Sequence, residues 1–185
     1  MIIIKKTGVI LAGGKSSRMG ENKALMRIEG KAFIEKAIEA FSNFEEVIII
    51  ANDINLYLKY KLKVYEDIIK DIGPIGGIYT ALNYSKYDIV VLACDMPFMD
   101  TNIVEKIGLS MKEKSLISIS NNRIQPLCSG YKKYIIGEVK ECINNNDFKL
   151  LKLIDRIEKE YIEFDEAKAF FNINTKVEYN ENINT

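Results

Sequence analysis

Gly8 to Ala24 reads GVILAGGKSSRMGENKA, and this stretch changes character half-way along. Val9 to Ala12 is a continuous apolar run, as expected of a strand buried on both faces of a parallel sheet. It enters a segment holding Gly13, Gly14 and Gly20, with Lys15, Arg18 and Lys23 spaced through it and Glu21 its single acid. Glycines let backbone N–H groups approach anionic oxygens, and cations offset their charge. A buried strand that delivers such a segment is a device for holding polyphosphate. A plain surface loop after a core strand accounts for neither the paired glycines nor the cations.

Two other phosphate loops are excluded by spacing. Gly14-Lys15-Ser16 supplies the end of a Gly-x-x-x-x-Gly-Lys-Ser/Thr loop, but the glycine required at position 9 is Val, and Gly8 is off by one. Adjacent Gly13 and Gly14 do not fit the Gly-x-Gly-x-x-Gly dinucleotide fingerprint.

The pattern of the first strand recurs at Val47 to Ala51 and Ile89 to Cys94. Between the first two runs, Phe33, Ile34, Ala37, Ile38 and Phe41 form an apolar stripe at helical spacing. Further helices are predicted at Ile54 to Tyr60, at Ile75 to Tyr84 just after Pro74, and at Thr101 to Met111 with Asp100 or Thr101 as cap. This alternation predicts a doubly wound, mostly parallel α/β sheet in a three-layer, Rossmann-like arrangement. Beyond it, strands are expected at Ser115 to Ser120, Leu127 to Tyr131 and Tyr161 to Phe164, and helices at Lys133 to Ile143 and Phe148 to Ile157. With no repeat or linker, residues 1–185 are read as one domain, ending in an Asn-rich tail, Glu178 to Thr185, expected to fray.

Composition narrows the function classes. Lys+Arg and Asp+Glu both total 26, so no global field draws nucleic acid or an acidic membrane. No apolar run approaches a membrane span, and Met1 to Lys6 lacks a signal-peptide layout, which points to the cytoplasm. Cys94, Cys128 and Cys142 form no Cys-x-x-Cys pair, and the chain has no histidine. A zinc site and Ser-His or Cys-His catalysis are therefore excluded, and Cys94 and Cys128 are read as core thiols.

In open α/β sheets ligands bind beyond the carboxyl ends of the strands. The first strand ends at the Gly-rich segment, the second at Asn52-Asp53 and the third at Asp95-Met96-Pro97, so these polar clusters should meet at one edge. Asp95, at a rigid strand end beside a polyphosphate segment, suits Mg²⁺, which takes one or two carboxylates plus phosphate oxygens and water. A turn cap before Pro97 is the other reading. Lys23 and Arg18 are the cations placed to meet charge that develops on phosphate oxygens. Lys15 is open between phosphate and solvent.

Leu11 to Lys23 carries Leu-Ala-Gly-Gly-x-Ser-x-Arg-Met-Gly-x-x-Lys. This resembles the signature loop of nucleotidyltransferases that move an NMP group from an NTP to an acceptor. Adding Tyr65-Glu66-Asp67, Gly73-Pro74-Ile75-Gly76-Gly77, Cys94-Asp95-Met96-Pro97-Phe98, Gln125-Pro126-Leu127 and Asn172-Ile173-Asn174-Thr175, the chain is similar over nearly its whole length to the molybdenum cofactor guanylyltransferases.

The resemblance implies GTP as donor, a molybdopterin-type phosphate as acceptor, pyrophosphate as product and Mg²⁺ held by Asp95. It implies nucleotide contacts from Leu11, Ala12, Gly13, Gly14, Lys23, Asn52, Asp67 and Gly76. Asp67 is the candidate base reader, since guanine's adjacent N1–H and N2–H₂ donors suit a carboxylate. Gly76 belongs either to the ligand or to a tightly packed helix start. Arg123, Gln125, Asn172 and Asn174 fall in segments the family uses on the acceptor side, although Arg123 is equally readable as a solvated turn. Many relatives carry His where this chain has Gln125, which leaves a hydrogen-bonding role there. A phosphate monoester is largely dianionic at neutral pH and is already a nucleophile, so a chain without histidine is chemically coherent. Transient contacts with cofactor-synthesis or cofactor-receiving proteins are the further partners implied. The alternatives are a cytidylyl- or sugar-1-phosphate nucleotidyltransferase, and a non-catalytic nucleotide sensor.

Overall fold

The structure, a computed structural model, describes residues 2–13 and 22–183. Strand β1 (Ile4–Leu11) leads, past a short hairpin of β2 (Arg27–Ile28) and β3 (Lys31–Ala32), into helix α1 (Phe33–Ala40). Then come β4 (Phe44–Ile50), β5 (Lys63–Tyr65), α2 (Pro74–Tyr84), β6 (Ile89–Ala93) and α3 (Thr101–Ser110). The second half adds β7 (Ser115–Ser120), β8 (Arg123–Ile124), β9 (Cys128–Tyr131), α4 (Ile136–Asn144), α5 (Leu150–Arg156), β10 (Lys159–Phe164) and α6 (Lys176–Ile183).

The main sheet has the order β10-β7-β9-β6-β1-β4-β5, with β8 paired to β7. β1 runs parallel to both β4 and β6, and β4 parallel to β5. β9 is antiparallel to β6 and β7, which makes the sheet mixed though mostly parallel. Along each central strand the side chains alternate between two cores. Ile10, Ile49, Val90 and Leu92 pack with α1 and α3 on one face. Val9, Ile48, Ile50, Ile89 and Val91 pack with α2, α4 and α5 on the other. Because both faces are covered, these strands read as unbroken apolar runs. Gly8 is demanded by packing, since a Cβ there would lie 2.6 Å from the Phe41 ring.

The chain leaves β1 toward β4 and β5, then crosses back to place β6 on the other side of β1. The strand order therefore reverses direction at β1, and in an open α/β sheet ligands bind beyond the carboxyl ends of the strands at such a point. Cys94 N–H donates to the Leu11 carbonyl at 3.0 Å and Ala12 N–H to the Ile50 carbonyl at 2.9 Å, locking the three strand exits together.

Three local expectations change. Ile54 to Tyr60 forms two 3₁₀ turns, Ile54–Leu56 and Leu58–Tyr60, ended by Lys61 in the left-handed region at φ 56°. Lys133 to Ile143 is a 3₁₀ turn followed by α4. Glu178 to Ile183, read as frayed, is helical. Thr175 Oγ1 accepts the Glu178 N–H while the Glu178 carboxylate accepts the Asn174 and Thr175 N–H groups, a reciprocal cap on α6. Tyr179 then fastens the helix by donating to the Arg27 carbonyl at 2.7 Å and tilting its ring against Phe33.

Candidate active site

A cleft of about 540 Å³ opens at the strand exits, within the range of small-molecule sites. The ends of β1, β4 and β6 line it through Leu11, Ala12, Gly13, Asn52 and Asp95, so the convergence expected from the sequence occurs. Lys23 and Asp67, also expected there, line it too. Gly14 and Arg18, also expected to touch nucleotide, lie outside the described residues, as does Lys15.

Asp95 is held rigidly by its backbone. The Met96 N–H donates to the Ala93 carbonyl at 3.2 Å, and the Ile173 N–H donates to the Asp95 carbonyl at 2.9 Å. Its side chain, by contrast, keeps a buried Oδ1 with no hydrogen-bond partner among the described residues. Burial pushes this carboxyl above the usual carboxylate range, opposed by the Lys23 ammonium and by its own backbone N–H. A buried carboxylate oxygen without a partner costs free energy unless a cation or proton meets it. The described residues contain no group of three metal-ligating side chains. Among the described residues this donor set suits a divalent cation that takes its other oxygens from a ligand and water, and does not fit an all-protein metal cage.

Lys23 stands at the start of a 3₁₀ turn, Lys23–Leu25, capped by Asn22, whose Oδ1 accepts the Ala24 N–H at 3.0 Å. Its Nζ donates to Asn174 Oδ1 at 2.8 Å. The asparagine expected on the acceptor side and the lysine expected on the nucleotide side are thus in direct contact.

Asp67 reaches the cleft because the loop after β5 is pinned to α2. Buried Thr80 accepts the Ile68 N–H at 2.9 Å and donates to the Gly76 carbonyl at 2.9 Å. Asp67 Oδ1 is also buried without a partner among the described residues, and burial raises this carboxyl against the opposing charge of Lys70. Gly77 opens the space beside it: a Cβ there would stand 2.9 Å from Leu11 Cδ2 and 3.7 Å from Asp67 Oδ1.

Of the two readings of Gly76, the geometry fits the tightly packed helix start. Gly76 does not line the cleft, and a Cβ on it would press on the Ile69 carbonyl oxygen at 2.8 Å. Its small size serves packing, while Gly73 and Gly77 border the cleft. Arg123 and Gln125 also stand away from the cleft lining. Arg123 is exposed on β8, after an Asn121-Asn122 turn with φ of 51° and 55°. Gln125 is tied by backbone bonds, its N–H to Ser118 and its carbonyl from Ser129 Oγ. Leu127 of the same segment does line the cleft. Asn172 carries a buried, unpartnered Oδ1 next to the Ile173 bond to Asp95.

Sequence reasoning missed Asn22, Lys70 and Asp71 as cleft residues. Asn22 had a readable signal, a capping side chain at the start of a turn. Lys70 had none, because it is brought in by the Thr80 anchor. All three cysteines are buried, and burial raises the Cys94 and Cys128 thiols, in keeping with core roles. Among the described residues, no helix is long and apolar enough to cross a membrane.

Residues 8–160 match the family model of the MobA-like NTP transferase domain. A relative from Clostridium perfringens (strain SM101 / Type A), named "Probable molybdenum cofactor guanylyltransferase", is 42% identical, with 98% of each chain covered. The "Molybdenum cofactor guanylyltransferase" of Vibrio parahaemolyticus serotype O3:K6 is 34% identical over 92% of this chain and 91% of its own. Among solved structures, molybdopterin-guanine dinucleotide biosynthesis protein A from Archaeoglobus fulgidus superposes with a TM-score of 0.83 at 28% identity, covering 96% of this chain and 97% of that one.

Proposed function

Because the chain belongs to the MobA-like NTP transferase family, we propose that it is a guanylyltransferase that moves GMP from GTP to the terminal phosphate of a molybdopterin-type acceptor, releasing pyrophosphate. The observation that carries this reading is the pair Asp95 and Lys23 in one cleft. A buried carboxylate whose Oδ1 has no hydrogen-bond partner among the described residues stands at the end of β6, opposed in charge by the ammonium that also reaches Asn174.

The reaction needs little covalent help. An acceptor phosphate oxygen attacks the α-phosphorus, the new P–O bond forms in line, and the bond to the bridging oxygen of pyrophosphate breaks. The nucleophile is already anionic, so no base withdraws a proton. Catalysis then rests on positioning and charge. Lys23 meets negative charge on the phosphates, and the amide oxygen of Asn174 holds that ammonium without neutralising it. Asp95 would hold Mg²⁺, which when bound supplies charge neutralisation on the phosphate oxygens. Asp67 accepts the paired donors of guanine, a pattern that cytosine and uracil lack. Asn172 and Asn174 serve the acceptor, adjacent to Asp95 and Lys23 through the Ile173 and Lys23 hydrogen bonds.

The test is pyrophosphate release with GTP, CTP, UTP and ATP in turn, each with and without molybdopterin and Mg²⁺. Release that requires GTP, acceptor and metal together is the expected result. Release with CTP in preference would overturn the base assignment, and binding without release would make the protein a sensor.

A further inference from the structure

Tyr57 lies outside the cleft lining, yet its hydroxyl touches both sides of the Gly-rich segment. The ring is 1% exposed. The hydroxyl accepts from Asn22 Nδ2 at 3.1 Å and faces the Ala12 carbonyl at 3.4 Å, with Asn22 Oδ1 a second acceptor for its proton at 3.5 Å. Ala12 is the exit of β1. Asn22 caps the turn that presents Lys23. One phenol group therefore joins the strand that delivers the phosphate segment to the turn that receives it.

Tyr57 is itself fixed by local structure. Asp53 caps the first 3₁₀ turn by accepting the Asn55 N–H at 3.0 Å, and the Tyr57 N–H donates to the Ile54 carbonyl at 3.0 Å. The same segment begins with Asn52 in the cleft wall. A fully buried tyrosine needs partners for its hydroxyl, and here the partners are cleft-lining residues with no core polar group among them.

We propose that Tyr57 is a positioning residue of the transfer reaction, a tie that sets the Asn22 cap and through it the place of Lys23. The inference rests on reading the cleft as a triphosphate site. Each bond is modest, but Asn22 has two duties, capping Ala24 with its oxygen and meeting Tyr57 with its nitrogen. Removing the hydroxyl takes away one of the two holds on the Asn22 amide and leaves it the Ala24 cap, which loosens the turn that presents Lys23 to Asn174.

Tyr57→Phe deletes the hydroxyl and keeps the ring in the core. The expected result is a loss of about tenfold in kcat/KM for pyrophosphate release, mostly in kcat, with thermal stability little changed. Asn22→Ser cuts the tie from its other end while keeping a capping oxygen, and should reproduce the loss even if the Tyr57 variant folds poorly. In a Lys23→Ala background, Tyr57→Phe should change the rate by less than about twofold, because the lysine it positions is gone. An equal loss in both backgrounds, or wild-type turnover in Tyr57→Phe and Asn22→Ser, overturns the proposal. Calorimetric titration of the wild type with GTP, CTP and ATP separates the two readings. A wild type that binds no nucleotide overturns the triphosphate site and the tie with it. Wild-type binding beside unimpaired tie variants overturns the tie alone.

Discussion

Strand β6 carries an aspartate at each end, and the two are treated in opposite ways. Asp88, before the strand, has Oδ2 within 2.9 Å of both Lys6 and Lys132, and its Oδ1 accepts the Lys133 N–H at 3.0 Å. Burial pushes its carboxyl up, but hydrogen bonds from Lys132, the Lys133 N–H and Lys6 outweigh burial and hold it below the ordinary range. Asp95, after the strand, keeps a buried oxygen with no partner among the described residues, and burial holds it above that range. One end of the sheet satisfies its charge within the chain and gains stability. The other leaves charge unsatisfied, at a cost to the free protein that a ligand can recover.

The largest expected effect that sharpens this contrast is on turnover. Asp95→Asn keeps shape and removes charge, and pyrophosphate release should fall by at least about 10³-fold, as for loss of a central electrostatic group. Titrations of GTP with and without Mg²⁺ check the cause: metal-free binding should survive and the gain from metal should vanish. Next comes Asp67→Asn, which should weaken GTP by about 1.5–3 kcal/mol while leaving CTP and ATP nearly unchanged, measured by calorimetry. Equal losses for all three bases would break the assignment of Asp67 to guanine.

At the opposite end of the strand, Asp88→Asn should destabilise by about 2 kcal/mol in denaturant melts, because it leaves two lysines facing a neutral group. Folded Asp88→Asn should retain its activity. The smallest effect is in acid. Asp88 stabilises above its unfolded pKa, and that contribution is lost as pH falls through its lowered folded pKa. Asp95 has the opposite sign: its favourable contribution is complete below the unfolded pKa and lost as pH rises through the raised folded pKa. At neutral pH the Asn variants should therefore bracket the wild type, Asp95→Asn more stable and Asp88→Asn less. Stability curves should converge as pH drops below the carboxylate range, and a gap that persists in acid would mean the changes act through packing.

Much of this contrast is legible in the sequence on the cleft side and little on the other. β1, β4 and β6 are readable because both faces are covered, and Asp95 because it directly follows such a strand. The Asp88 cluster is not, since Lys6, Asp88 and Lys132 meet through the pairing of β1, β6 and β9, and the antiparallel direction of β9 leaves no mark in Cys-Ser-Gly-Tyr. β5 is three residues on an edge, too short for a pattern. Gly76 and Gly77 are indistinguishable as letters, and which one borders the ligand is decided by how α2 rotates against Ile69 and Leu11. The cap of α6, Thr175-x-x-Glu178, stands in the sequence just ahead of an Asn-rich stretch whose composition reads as a fraying tail.

The division of labour between the two ends of β6 is tested most directly by measuring thermal unfolding and GTP-dependent pyrophosphate release of Asp95→Asn and Asp88→Asn side by side at neutral pH. The account predicts that Asp95→Asn melts at or above the wild-type temperature and does not turn over, while Asp88→Asn melts lower and turns over when folded. Wild-type turnover by Asp95→Asn, or loss of its stability together with its activity, would contradict it.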